Sequence, residues 1–599
     1  MKLKLSLIAA VTAAMLTGCQ APATDPVAVA APVEAPAFNF NQFTQQYFDA
    51  GLDLDPIMGT YVGRPEFNDR LANSVSDEYL AKRNKLHQQF LAQVQAIDAD
   101  ALTAQQQLSR DILEYELSVA VAGDAFAEEL LPMNQFYSRV ISFVQLGSGQ
   151  SAQPFNTVQD YDNFIARMDD FIAWSQTAQE RMDQGASQGV VLPKVLVEKI
   201  IPQLSALVDA DINDSPFYGP LASMPESISA EDARQLRSRY QDALVTKLMP
   251  AITQLRDYFN DEYLANSRDS DGWGQLPGGA PWYQHLANMH TTTTMPVAQI
   301  HQLGLDEVAR ILAEMDKVRT QVGFEGDLSA FFAHLSSEPK FFFTEKEQLV
   351  AGYGEIKLKI NKVLPQYFDI QPKADYVVKP VEPFREKSAA GASYESPAPD
   401  GSRPGVFYVN TYNLKAQPKW GMTTLSLHEA SPGHHFQIAI KQELQGVPEF
   451  QRFGGYTAFE EGWALYAEYL GIEMGLFTDP YQYFGKLSDE MLRAMRLVVD
   501  TGLHAKGWSR EQAIQYMLDN SPMAPSDVTA EVERYMAIPG QALSYKVGQL
   551  TILRLRAEAE QTLGDKFDLR DFHNQVLSSG SLPMALLEKK IDRWVAQQQ

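Results

Sequence analysis

From Phe38 onward, apolar residues recur every three or four positions, and a chain patterned in this way hides them by packing helix on helix. Behind Ser76, read as an N-cap, Tyr79, Leu80, Leu86, Phe90, Leu91, Val94 and Ile97 share one stripe. A second stripe opens at Ser229 and runs through Leu236, Tyr240, Leu244, Leu248, Ile252, Leu255 and Phe259. Pro250 lies inside it and is predicted to kink or break the helix. Val297 to Val318 reads the same way, and Pro193 to Ile201 is a shorter helix with proline in its first turn. Strand signals are few: Val406 to Asn410, behind a turn-forming run, and more weakly Tyr376 to Val378. No repeat of fixed period appears, which disfavours a solenoid. The expected fold is mainly α, a large helical body with a deep cleft and a small β-sheet. Residues 38–300 are expected as a helical N-terminal lobe and 301–599 as a C-terminal lobe. No linker marks the boundary, so a single domain is the alternative.

The first 37 residues read differently. Lys2 and Lys4 precede an apolar run from Leu5 to Leu16 that is too short to span a bilayer. Leu16-Thr17-Gly18-Cys19 then resembles the lipobox of bacterial lipoproteins, which makes 1–18 a signal peptide and Cys19 the lipid-modified first residue. Residues 20–37, low in complexity and rich in Ala and Pro, form an extended tether of about 50 Å. Gln20 after the cysteine, rather than Asp, points to the outer membrane, facing the periplasm. Cys19 is the one cysteine, so disulfides and thiolate-rich metal sites are excluded. A net charge of −25 repels phosphate backbones, and nucleic acid is not an expected partner. Oligomeric state is not legible.

Three of the ten histidines fall in His428-Glu429-Ala430-Ser431-Pro432-Gly433-His434-His435. In the helical zinc-protease pattern two histidines at i and i+4 share a face, and a Glu after the first reaches water on the metal. Here i+4 is Pro432, and the next histidines stand at i+6 and i+7. On an unbroken helix His434 would point about 120° away, and His435 would sit about 10 Å further along the axis. Pro432 and Gly433 are the residue types found where a helix is interrupted, so a break there brings His434 or His435 back beside His428. For a third ligand, the helix Thr457 to Glu468 sets Glu461, Ala464, Leu465 and Glu468 along one stripe. A carboxylate on an otherwise apolar face is costly unless paired or bound to metal. Glu461 is the candidate, while Glu460 and Glu468 read equally well as helix charges. Two histidines and a carboxylate with an open fourth position make a catalytic zinc site.

These motifs, with Glu461-Gly462-Trp463-Ala464-Leu465-Tyr466-Ala467-Glu468 and Pro539-Gly540-Gln541-Ala542-Leu543-Ser544-Tyr545-Lys546, resemble the signatures of a bacterial family. Its members are often lipoproteins and are catalogued as of unknown function. That family is in turn similar to helical zinc metallopeptidases of the gluzincin type, above all the thermostable-carboxypeptidase group. The resemblance spans nearly the whole chain beyond the leader. It implies one zinc ion on His428, His434 and Glu461, with Glu429 as general base. It also implies an oxyanion donor, for which Tyr545 is the first candidate and Tyr535 the second.

Around these, Arg493, Arg496, Asp500 and His504 lie on a buried helix, Gly485 to His504. They read as an ion-pair seam or as support for the site. In the second case Asp500 would orient a ligand histidine and an arginine would grip a carboxylate. His435, Tyr535 and Lys546 complete the candidate surroundings. By analogy the strand Val406 to Asn410 offers its edge to an extended peptide. The function expected is a zinc-dependent peptidase of carboxypeptidase or oligopeptidase type, acting on small peptides and held to the membrane by its lipid. A helical solute-binding lipoprotein and a zinc hydrolase of a non-peptide amide, such as a cell-wall fragment, are the rivals.

Overall fold

Helix starts fall where capping chemistry puts them. The computed structural model describes residues 38–381, 386, 391–397 and 403–599; the leader, Cys19 and the tether lie outside them. Ser76 Oγ accepts from the Tyr79 amide to open Asp77–Gln95, and Ser229 Oγ accepts from Asp232 to open Ala230–Ala243. Lys194–Val208 and Val297–Gln321 each follow a proline. The expected break at Pro250 does not occur. The turn ahead of it widens into a π-turn, Leu244–Leu248, closed by the Met249 amide on the Leu244 carbonyl, and Met249–Tyr258 continues the run. That wider turn makes room for the ring, so Leu248, Ile252 and Leu255 stay buried on their stripe.

Helix dominates the described residues, as its pattern requires, and the three strands form one small mixed sheet in the order β1-β3-β2. They are β1 (Tyr376–Pro380), β2 (Ala392–Glu395) and β3 (Gly405–Val409). β3 pairs parallel with β1, Tyr376 opposite Gly405, and antiparallel with β2, Ala392 opposite Val409. The proposed role of the 406–410 strand as a peptide-binding edge is therefore wrong: both of its sides are already paired, and the outer strand beside the cleft is β2.

Asn41–Gln599 form one compact unit. One core cluster joins Leu196, Ile311 and Met315 to Met491, Met495 and Tyr535, spanning the place where a boundary near residue 300 was expected. Its axis is the long helix Pro480–Lys506, whose charged Lys486, Glu490, Arg493, Arg496 and Asp500 are buried along with its apolar face. Among the described residues no helix is long and apolar enough to cross a membrane.

Candidate metal centre

The histidine motif folds as two helices with a sharp break between them. Met422–Glu429 ends at Ala430, whose ψ of −106° is not helical, and His434–Glu443 starts behind Gly433 (φ −75°, ψ −130°). A Cβ on Gly433 would stand 1.9 Å from the His428 carbonyl oxygen and 2.3 Å from that of Leu427. Only glycine lets the chain turn back so closely on the helix it has just left. Trp463 Nε1 donates to the Pro432 carbonyl at 2.7 Å and holds the break against the helix Thr457–Glu473. The result is that the His428 and His434 rings meet, centroids 4.7 Å apart and nearly perpendicular.

Thr457–Glu473 brings the carboxylate. Its Gly462 packs on Gly548 of the helix Ser544–Leu563, where an added Cβ on either would lie within 2.5 Å of the other helix's backbone. Glu461 Oε2 lies 3.5 Å from His428 Nε2 and 3.3 Å from His434 Nε2. One ligand atom from each of the three residues falls within 4.8 Å of the other two, the spacing a single ion could bridge. Glu461 Oε2 is buried without a hydrogen bond. Two turns further along the same face, Glu468 accepts from His428 Nδ1–H at 2.7 Å and from Thr424 Oγ at 3.1 Å. That fixes the tautomer and aims the Nε2 lone pair at Glu461. Burial alone would lower the proton affinity of His428, but Glu461 and Glu468 more than offset it and raise its pKa to about 10. Burial opposes the charge on Glu461 as well, yet the two histidines hold it well below the usual carboxylate range. A metal must displace this shared proton to enter.

The three residues line a cleft of about 720 Å³ together with Glu429, Arg496 and Tyr545. Tyr545 oxygen accepts from Arg534 Nη2 at 3.2 Å, and the Arg496 guanidinium lies 4.4 Å over the Tyr545 ring. Arg496 also donates to Glu531 (2.8 Å from Nη2) and to the Tyr535 hydroxyl (3.2 Å from Nε). Tyr535 itself is buried behind that pair, donating to Glu531 at 2.5 Å.

The other expected residues lie elsewhere. His435 points to the sheet: Nε2–H donates to the Ala374 carbonyl at 3.1 Å and Nδ1 accepts from the Tyr394 hydroxyl at 2.9 Å. Burial brings its pKa down to about 4, so it is a neutral strap rather than a ligand. Asp500 does not orient a ligand histidine. It sits seven residues, about 10 Å, beyond Arg493 on the same helix, where Tyr283 O–H (2.5 Å) and the Gly540 amide (3.1 Å) donate to it. Glu468 has the orienting task instead. His504 spans Trp273 N–H and the Tyr535 carbonyl, each at 3.0 Å. Lys546 is sealed among Glu490 (2.6 Å), Glu307 (2.8 Å) and Gln549 (2.8 Å). Glu460 pairs with Lys441 at 2.8 Å. Sequence reasoning missed Asp489, Arg534 and Glu531 in the cleft wall. Asp489 had a signal, since it stands seven residues before Arg496 on the same helix face.

With this geometry in view, comparisons place the chain among known proteins. A family described as "Bacterial protein of unknown function (DUF885)" matches residues 56–591. No curated protein matches. A solved structure of a "putative lipoprotein from Colwellia psychrerythraea" is 30% identical with a TM-score of 0.86, over 93% of this chain and 99% of that one. A "putative lipoprotein of unknown function from Shewanella oneidensis" is 20% identical with a TM-score of 0.74, over 92% and 99%, and shares the fold. A "putative oligoendopeptidase F from Bacillus anthracis str. Ames" reaches 13% identity and a TM-score of 0.29 over 94% and 98%, too low to carry an argument.

Proposed function

The chain belongs to this bacterial family of unknown function, and we propose that it is a zinc-dependent peptidase hydrolysing small peptides in the cleft. The observation that carries the reading is the convergence of His428, His434 and Glu461. Two imidazoles and one carboxylate fit zinc with a fourth position left for water or substrate. Burying Glu461 Oε2 without a partner costs about 1–3 kcal/mol or more, a cost an ion at that point removes. Glu468 behind His428 is the second carboxylate that such sites use to orient a ligand. When bound, zinc polarises a carbonyl and lowers the pKa of water to about 7.

The chain's own groups do the rest. Glu429 directly follows a ligand and lines the cleft; its carboxylate takes a proton from the attacking water and gives it to the leaving amine nitrogen. Tyr545 accepts from Arg534, which leaves its hydroxyl hydrogen to donate to the substrate oxygen as negative charge builds there. A cleft of about 720 Å³ suits a short peptide rather than a folded chain. A solute-binding role gives the converging ligand atoms no task.

The lipobox reading makes the protein lipid-anchored through Cys19, with the tether holding the body in the periplasm at the outer membrane. The printed description of the Colwellia relative supports that anchoring. The test of the activity is a peptide-library digest with the zinc-loaded chain and with Glu429→Gln. Cleavage by the first and none by the second, at equal metal content, supports the reading; no cleavage by either, or equal cleavage by both, overturns it.

A further inference from the structure

Three arginines stand in the cleft wall, and two of them have donors to spare. Arg493 and Arg496 are three residues apart on Pro480–Lys506, hence neighbours on one face, with Cβ atoms about 5–6 Å apart. Both line the cleft that holds the metal group. Both are more than nine-tenths buried. Among the described residues, Arg493 has partners for Nη1 alone, the main-chain and carboxylate oxygens of Asp489, each at 3.2 Å. Its Nε is buried with none. Arg496 spends Nε and Nη2 on Glu531 and Tyr535 and leaves Nη1 buried with none.

Unpaired donors on a buried cation are expensive and rare, so a pair of them in one cleft wall calls for an acceptor that arrives with the ligand. The third arginine does not compete for this task, because Arg534 is engaged with Gln541 at 2.9 Å and Tyr545 at 3.2 Å. Nor does the wall balance its own charge. Glu531 is shared between Arg496 and Arg534, its oxygens 2.8 Å and 3.6 Å from the two guanidinia. Stacking on the Tyr545 ring fixes the plane of Arg496, so the fork is held ready. The planar fork of arginine matches a carboxylate, and two adjacent forks offer one donor to each of its oxygens. Beside them the wall turns apolar: Trp420, Leu492 and Met523 line the same cleft, and Leu492 lies on the same helix face as Arg496.

We propose that Arg493 and Arg496 seat the free carboxylate of the substrate, so that the cleft takes short peptides by their C-terminal end, with an apolar terminal side chain against Trp420, Leu492 and Met523. This rests on the hydrolase reading above and narrows it to removal of single C-terminal residues. Water supplies hydroxyl to the carbonyl carbon and hydrogen to the nitrogen, the last C–N amide bond breaks, and one amino acid leaves with its carboxylate intact.

The test compares an N-acylated dipeptide ending in leucine with its C-terminal amide, using the full zinc-loaded chain. The acid is expected to exceed the amide in kcat/KM by roughly 100-fold, with most of the difference in KM. Arg493→Gln and Arg493→Lys should each narrow the acid-to-amide ratio by about tenfold or more at unchanged zinc content and melting temperature. Arg496→Gln should do the same, but it leaves Glu531 with one cation fewer, so the Arg493 variants carry the test if it fails to fold. Equal turnover of acid and amide, or cuts within longer peptides at comparable rates, overturns the proposal. If no peptide is cleaved, the hydrolase reading has failed and calorimetry still reads the seat. Binding of N-acetyl-L-leucine but not its amide, lost in Arg493→Gln, supports it. Equal binding of both, binding of neither, or tighter binding of inorganic phosphate overturns it.

Discussion

Replacing Gly433 with alanine tests whether the break in the histidine motif builds the site. The new Cβ would stand 1.9 Å from the His428 carbonyl oxygen, whereas real Cβ contacts essentially never fall below 3.0 Å. The neighbour is backbone on one side and the start of the second ligand helix on the other, so no flexible side chain can yield. The two helix ends must separate by roughly 1 Å, several times the ±0.2 Å tolerance of metal–ligand distances. His428 and His434 ride on those two ends. Zinc affinity should therefore fall about 100-fold or more, on the scale of losing an orienting partner or worse. Overpacking should lower stability by about 1–3 kcal/mol. Gly354→Ala is the control: it is helical, and an added Cβ there meets nothing within 4 Å. Competition titration against a chromophoric zinc chelator reads the affinity, with urea unfolding alongside. If Gly433→Ala binds zinc as tightly as the parent, the close approach is not what assembles the ligands and the reasoning fails.

Other outcomes follow from the same contacts. Glu468→Gln should keep the fold but weaken zinc binding about 10–100-fold in the same titration, because His428 Nδ1 loses its charged acceptor; unchanged affinity would deny Glu468 its role. His435→Ala should leave zinc content at the parental value yet cost about 1–3 kcal/mol in urea unfolding, since Tyr394 and Ala374 lose their partner; loss of the metal would restore His435 as a ligand. Asp500 should make stability fall with rising pH. Burial raises its pKa to about 7, Tyr283 and Gly540 opposing the shift, so from about pH 4 to 7 the folded chain keeps a proton that the unfolded chain has lost. The stabilisation is whole below that window and is lost as pH rises through about 7, at up to about 1.4 kcal/mol per unit. Urea unfolding at pH 5 and 7.5 should show a flatter dependence in Asp500→Asn; an equal slope contradicts the assignment.

The sequence made some of this legible and hid the rest for physical reasons. Helix periodicity located the body, and Ser76 and Ser229 marked true starts because capping is a local interaction. Pro250 misled because a π-turn, invisible in residue pattern, absorbs the ring. β2 was not foreseen: four residues, Ala392–Glu395, carry too little alternation, and their pairing with β3 is non-local. Within the site, residue types announced Glu461. The choice between His434 and His435 depended on the backbone angles at Ala430 and Gly433, which spacing alone does not supply. Asp500 was given the orienting role because it is a carboxylate on a buried helix, but position along the axis decides, and Glu468 lies where His428 ends. Glu468 shares the Glu461 stripe, and that shared face was the signal for it.

The central claim, that His428, His434 and Glu461 together hold one zinc ion, is tested most directly by zinc K-edge X-ray absorption with metal counting on the full chain after dialysis. The account predicts one zinc per chain with only nitrogen and oxygen neighbours at about 2.0–2.2 Å, lost in His434→Ala and Glu461→Gln. Zinc retained in full by both variants, or no zinc bound by the parent chain, would contradict it.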